Sequence, residues 1–177
     1  SEGLLLLTND GDLARHLELP STGWSRKYRA RVQGNVDQAK LAALADGVTI
    51  EGIRYGQVIA KLDRQMASNA WLTVAIREGK NREIRRIMDY LGHKVSRLIR
   101  ISYGPFQLGN LEHGDVEAVK ARVLADQLGI GGRAVATKDK LTISVNKPAH
   151  QSSGRRGRHA NHSRKPSRVH SDKTGHH

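Results

Sequence analysis

The sequence predicts an α+β fold: a mixed, largely antiparallel sheet with packed helices, followed by a disordered basic tail. Three observations predict it. Short apolar or alternating runs, separated by Gly, Asn and Ser, read as strands joined by hairpins. Apolar residues recur at helical spacing in a few short segments between those runs. Beyond residue 150 apolar residues all but vanish, while arginine, histidine and serine accumulate.

Leu4-Leu5-Leu6-Leu7-Thr8 is a fully apolar run ended by Asn9-Asp10-Gly11, which reads as a buried strand entering a tight turn. Residues 12–19 place Leu13, Ala14 and Leu17 at helical spacing, and Pro20 stops the helix. Residues 21–25 are a loop. From Lys27 the chain alternates, with Tyr28, Ala30 and Val32 on one face and Arg29, Arg31 and Gln33 on the other. That is a half-buried strand with one cationic face, ended by Gly34. Residues 36–45 suit a short helix closed by Gly47. Residues 58–62 and 70–76 alternate on either side of a polar loop containing Ser68-Asn69 and read as a hairpin. A helix over 81–91 ends at Gly92, and a strand over 95–103 interleaves Arg97 and Arg100 with aliphatic residues. Residues 108–119 are irregular, and 118–128 form a final helix. No internal repeat is visible. The organisation that follows is a body over 1–130, a linker or peripheral segment over 131–150 and a tail over 151–177.

The chain has 177 residues with 30 Lys and Arg against 17 Asp and Glu, a formal charge of +13. Cysteine is absent, which excludes disulfides, a thiol nucleophile and a thiolate metal site. No run approaches the length of a bilayer span, and no signal-peptide pattern opens the chain, so a cytoplasmic protein with no membrane association is expected. A positive field of this size favours a polyanionic partner, nucleic acid foremost. The tail holds seven lysines and arginines against Asp172 alone and cannot bury enough surface to order itself. It reads as a phosphate-binding arm, with a purely solubilising tail as the alternative. Its irregularly spaced histidines, without acidic or cysteine partners, do not make a metal site.

The most informative stretch runs from Arg77-Glu78-Gly79-Lys80-Asn81-Arg82 into Glu83-Ile84-Arg85-Arg86-Ile87-Met88. On a helix, Arg82, Arg85, Arg86 and Asp89 share one side, while Ile84, Ile87, Met88 and Leu91 share the other. Gly79 at the strand end allows a sharp turn, and backbone N–H groups at the helix start, with Lys80 and Arg82, suit a phosphate. Arg97 and Arg100 add to this charge. The residues by themselves lead to an RNA- or DNA-binding α+β domain.

Taken in order, the motifs resemble one family. The stretch Ser1-Glu2-Gly3-Leu4-Leu5-Leu6-Leu7-Thr8-Asn9-Asp10-Gly11-Asp12-Leu13-Ala14 resembles the second half of the signature motif of the pseudouridine synthases of the small-subunit synthase A type. Lys27-Tyr28 followed by Val32-Gln33-Gly34 resembles their tyrosine motif, and residues 77–88 their arginine motif. Leu98-Ile99-Arg100-Ile101-Ser102-Tyr103-Gly104-Pro105 resembles the strand that follows. The wording of Gly34-Asn35-Val36-Asp37 and of Val95-Ser96-Arg97-Leu98-Ile99-Arg100 is most similar to the large-subunit (23S) synthase B branch.

The resemblance implies an rRNA pseudouridine synthase, acting on uridine in ribosomal RNA, of the large subunit by branch, as a monomer and without any cofactor. It implies that Tyr28 stacks on the target base and is placed to move a proton, and that Arg85 pairs with the catalytic aspartate. Lys27, Lys80, Asn81, Arg82, Arg86, Arg97 and Arg100 are then the RNA contacts, and Ile84 packs beneath the cleft. In that family Gly-Arg-Leu-Asp opens the signature just ahead of the position of Ser1, and its aspartate is the nucleophile. The expectation is therefore a truncated chain, without that aspartate or the small S4-like RNA-binding domain, and inactive alone. Asp10 and Asp12 do not replace the nucleophile, because they stand at a turn and helix start where short carboxylates cap backbone N–H groups. The alternative reading is a non-catalytic RNA-binding module.

Overall fold

The computed structural model describes residues 1–128 and 141–146. The leucine run forms strand β1 (Glu2–Thr8), and Asp10 then caps helix α1 (Gly11–Glu18), its carboxylate accepting from the Asp12 and Leu13 N–H groups. The alternating cationic segment is β2 (Arg26–Gln33). Helix α2 (Gln38–Ala43) is shorter than the 36–45 expected, because Asp37 caps it and its last turn tightens into a 3₁₀ turn before Gly47. A hairpin of β3 (Val48–Ile50) and β4 (Ile53–Tyr55) follows that the sequence did not announce. It turns through Glu51 and Gly52, both at positive φ, the geometry that matches strand twist in a two-residue turn.

The expected hairpin is present as β5 (Val58–Gln65) and β6 (Asn69–Ile76). After them come helix α3 (Glu83–Tyr90) and strand β7 (Val95–Tyr103). The stretch expected to be irregular is flanked by a two-residue strand, β8 (Phe106–Gln107), and contains β9 (Val116–Ala118). Helix α4 (Ala121–Leu128) begins after Ala118 has been taken up by β9. Strand β10 (Leu141–Asn146) lies in a stretch expected to be linker or peripheral, yet it pairs antiparallel with β1 from Gly3–Asn146 to Thr8–Leu141. The remainder of 131–150 and the tail over 151–177 lie outside the described residues.

The main sheet runs β5-β6-β2-β7-β1-β10-β9, with β8 hydrogen-bonded to β7. Among the described residues, only β1 and β7 pair in parallel; the other pairs are antiparallel, so the sheet is mixed and largely antiparallel as expected. The parallel contact is confined to Glu2–Ile99 and Gly3–Arg100. It requires glycine: Gly3 sits at φ +88°, and a Cβ there would clash with the Arg100 carbonyl oxygen.

Two apolar clusters hold the sheet. One joins Ala30 and Val32 of β2 and Leu72 and Val74 of β6 to Ile84, Ile87 and Met88 of α3, so the apolar side of that helix docks as expected. The other joins Leu4 to Leu13 and Leu17 of α1, Leu124 of α4, and Tyr103 and Phe106. The leucine run is not buried throughout: Leu4 is 1% exposed, but Leu7 is 46% exposed. Strand alternation is the reason, since Leu4 and Leu6 face the second cluster and Leu7 points to the other side. Among the described residues, no helix is long and apolar enough to cross a membrane.

Candidate active site

A cleft of about 510 Å³ opens where the N-terminal ends of β1 and α3 come beside β2 and β7. Strand alternation places Tyr28 in its wall, on the same face of β2 as Ala30 and Val32. Arg85 enters from α3, half-buried, with its Nη1 donating to the Val95 carbonyl at 2.7 Å. Arg100 lies directly across the strand from Tyr28, and its Nε donates to the Leu4 carbonyl at 2.8 Å. Ile76, Ile84 and Leu98 supply the apolar lining, and Ser1 completes it at the start of β1. The structure thus brings together Tyr28, Arg85, Lys80, Arg82 and Arg100, with Ile84 beneath them.

The other expected contacts stand elsewhere. Arg86 borders a separate groove with Thr49, Ile50, Tyr55 and Tyr90. Lys27 and Arg97 project from the sheet face opposite Tyr28, and Arg97 is engaged by Glu2 at 2.9 Å, which raises its pKa. Asn81 is exposed in the turn before α3 and does not line the cleft.

The turn before α3 is built differently from the expectation. The left-handed residue is Arg82, at φ 52°, and Gly79 needs no positive φ; a Cβ at Gly79 would make ordinary contact with Arg26 at 3.7 Å. This turn delays the helix from 81 to Glu83. Its backbone donors are also partly used. The Lys80 N–H donates to Glu83 Oε2 at 3.0 Å, and the Glu83 N–H donates back to the Lys80 carbonyl at 3.1 Å. The Lys80 ammonium is paired with Glu78. Arg82 and Arg85 therefore carry the open positive charge of this wall: among the described residues no carboxylate lies within 4 Å of either.

Sequence reasoning did not place Arg26 and Glu83 in the cleft, nor Glu18 and Tyr103. Arg26 is only 7% exposed and donates to the Arg77 carbonyl at 2.9 Å and to the Tyr103 hydroxyl at 2.9 Å. It shares its parity on β2 with Tyr28, Ala30 and Val32, and that parity was the available signal. Glu83 is 3% exposed, and burial pushes its carboxyl pKa up against the lowering effects of the Lys80 N–H, Lys80 and Arg26. Its Oε1 has no hydrogen-bond partner among the described residues.

Chemically, the cleft is a cationic wall around the open Tyr28 phenol, with the Tyr103 phenol engaged by Arg26 behind it, and an apolar floor. Guanidinium groups suit phosphate or carboxylate oxygens, and a half-buried tyrosine suits a flat base.

Comparison with known proteins agrees with this chemistry. A family model described as RNA pseudouridylate synthase matches residues 1–90. An uncharacterized RNA pseudouridine synthase of Rickettsia typhi is 47% identical over 124 residues, covering 70% of this chain and 51% of that protein. Ribosomal large subunit pseudouridine synthase B of Haemophilus influenzae is 42% identical over 125 residues, 67% of this chain and 35% of that one. The same-named protein of Escherichia coli O157:H7 is 44% identical over 106 residues, 60% of this chain and 37% of that one. The chain spans about half the length of the Rickettsia relative and a smaller share of the synthase B proteins. Because the family match takes in β1, the tyrosine strand and all of α3, the chain belongs to the RNA pseudouridylate synthase family.

Proposed function

We propose that this chain is the catalytic part of an rRNA pseudouridine synthase acting on large-subunit RNA, as a cytoplasmic monomer that needs no cofactor. The observation that carries the reading is the meeting of Tyr28, Arg85 and the Ser1 end of β1 in one cationic cleft. Ser1, just ahead of β1, lines that cleft, and the resemblance puts the nucleophilic aspartate shortly before Ser1. Arg85, without a carboxylate partner among the described residues, is the fixed cation that holds this aspartate ionised and oriented.

The reaction breaks the N1–C1′ bond of a uridine, turns the uracil, and joins C5 to C1′. The proton on C5 leaves and N1 gains one, so the change is an isomerisation. The aspartate acts as the covalent or elimination-promoting group. Tyr28 stacks on the freed base and moves the proton. Arg82 and Arg100 hold backbone phosphates while the uridine is flipped out of its stack. The choice of the large subunit rests on the synthase B relatives.

The test uses the full-length protein and large-subunit rRNA transcript labelled with tritium at uracil C5. Forming the C5–C1′ bond releases the label to water, so tritium release with a chelator present is the expected result. RNA binding without release would establish the alternative, a non-catalytic RNA-binding module.

A further inference from the structure

Resting on the RNA reading above, we infer that the face of the sheet opposite the cleft is a second RNA grip, which holds the phosphodiester backbone away from the target uridine. Strand alternation sends Tyr28, Ala30 and Val32 inward and Lys27, Arg29 and Arg31 outward. The neighbouring strands continue the outward charge with Lys61 and Arg64 on β5 and Arg97 on β7.

The register sets these groups in rows. Arg64, Trp71, Arg31 and Arg97 are cross-strand neighbours over β5, β6, β2 and β7, a row about 14 Å long at the usual strand spacing of about 4.8 Å. The next row holds Lys61, Thr73 and Arg29. Against these charges stand Asp63, 4.0 Å from Arg29, and Glu2 on Arg97. Lys27, Arg31, Lys61 and Arg64 have no carboxylate within 4 Å among the described residues.

Arg31 directly opposite Arg97 is a like-charge pair that Glu2 on Arg97 offsets only in part. A polyanion laid across the row removes that repulsion. The half-buried Trp71 ring, with the Arg29 guanidinium 4.9 Å from its centroid, gives the face a flat element of the kind that base-tolerant RNA surfaces use. A phosphate chain therefore fits the face by charge, whereas a lipid surface would need an apolar wedge that the exposed Ile59 alone does not make.

The experiment measures binding of a large-subunit rRNA fragment by the full-length protein at several salt concentrations, with single-turnover tritium release at saturating RNA. The variant Arg31→Gln/Lys61→Gln/Arg64→Gln should lose affinity by about 10–100-fold near 0.1 M salt. Its log–log salt slope should fall by about 2, at about 0.7 per lost single-strand contact. Chemistry at saturation should persist. Arg64→Gln alone should lower the slope by about 0.7, and Arg31→Lys/Arg64→Lys should retain wild-type binding. An unchanged slope in a variant that melts like wild type overturns the inference while the functional reading stands. So does unchanged RNA affinity with loss of self-association or of binding to anionic vesicles, which would name a different occupant. Absence of RNA binding by the wild-type protein overturns both.

Discussion

The Arg26 guanidinium donates to the Tyr103 hydroxyl at 2.9 Å, and that hydroxyl donates onward to the Leu17 carbonyl at 2.6 Å. The relay links β2 to β7 and α1, and it reaches the turn before α3 through the Arg77 carbonyl. It therefore fixes the cleft's walls relative to one another, although the Arg26 that anchors it was not singled out by sequence.

Tyr103→Phe removes the hydroxyl and leaves a buried guanidinium N–H and a buried carbonyl without their partner. The expected cost is about 1–3 kcal/mol in urea unfolding. A loss below a few tenths would mean that water restores both bonds.

Arg85→Ala should act on chemistry more than on binding. Without its cation the carboxylate delivered ahead of β1 loses orientation, so single-turnover rate should fall by about 100-fold or more while RNA affinity falls modestly. Unchanged turnover at saturating RNA, with weakened binding alone, would reassign Arg85 to a phosphate contact.

Tyr28→Phe keeps the ring and removes the proton carrier. Affinity should hold, and tritium release should slow by about 100-fold. Tyr28→Ala should also weaken binding, by about 1–3 kcal/mol of lost stacking. Equal activity of the phenylalanine variant and wild type would leave Tyr28 a stacking platform only.

Glu83 carries a pH signature. Burial raises its folded-state pKa, so the native chain binds this proton more tightly than the unfolded chain does. Its contribution to stability is therefore greatest in acid and is lost as pH rises through the folded pKa. The melting temperature of Glu83→Gln, measured against wild type from about pH 4 to 7, should shift in favour of the glutamine variant as pH increases. A constant difference across that range would show that Glu83 titrates as it does in the unfolded chain.

Much of the fold was legible because its strands alternate cleanly. The bounds of β7 follow from the flanking Gly92 and Gly104, and the inward face of α3 from Ile84, Ile87 and Met88. The β3–β4 hairpin was not legible, since three-residue strands are too short to show a period and Glu51-Gly52 is a weak turn signal. Strand β10 did alternate, through Leu141, Ile143 and Val145, but its pairing with β1 is a long-range event that local pattern cannot announce. In the cleft, Tyr28 and Arg85 were legible from their resemblance to the family's tyrosine and arginine motifs. Arg26 and Glu83 were not, because a charged residue is assigned outward by default.

The position of β1 bears on synthesis. Its parallel partner includes Arg100 and its antiparallel partner begins at Leu141, so the leucine strand leaves the ribosome long before either neighbour exists. At the ordinary elongation rate of 5–20 residues per second, Gly3 waits roughly 5–20 s for Arg100 to be made. The β2–β6–β5 meander completes within that interval from nearby segments. Leu4 through Leu7 meanwhile stays an unpaired apolar segment, the kind of sequence that holdase chaperones retain, and β1 docks only onto strands made well after it.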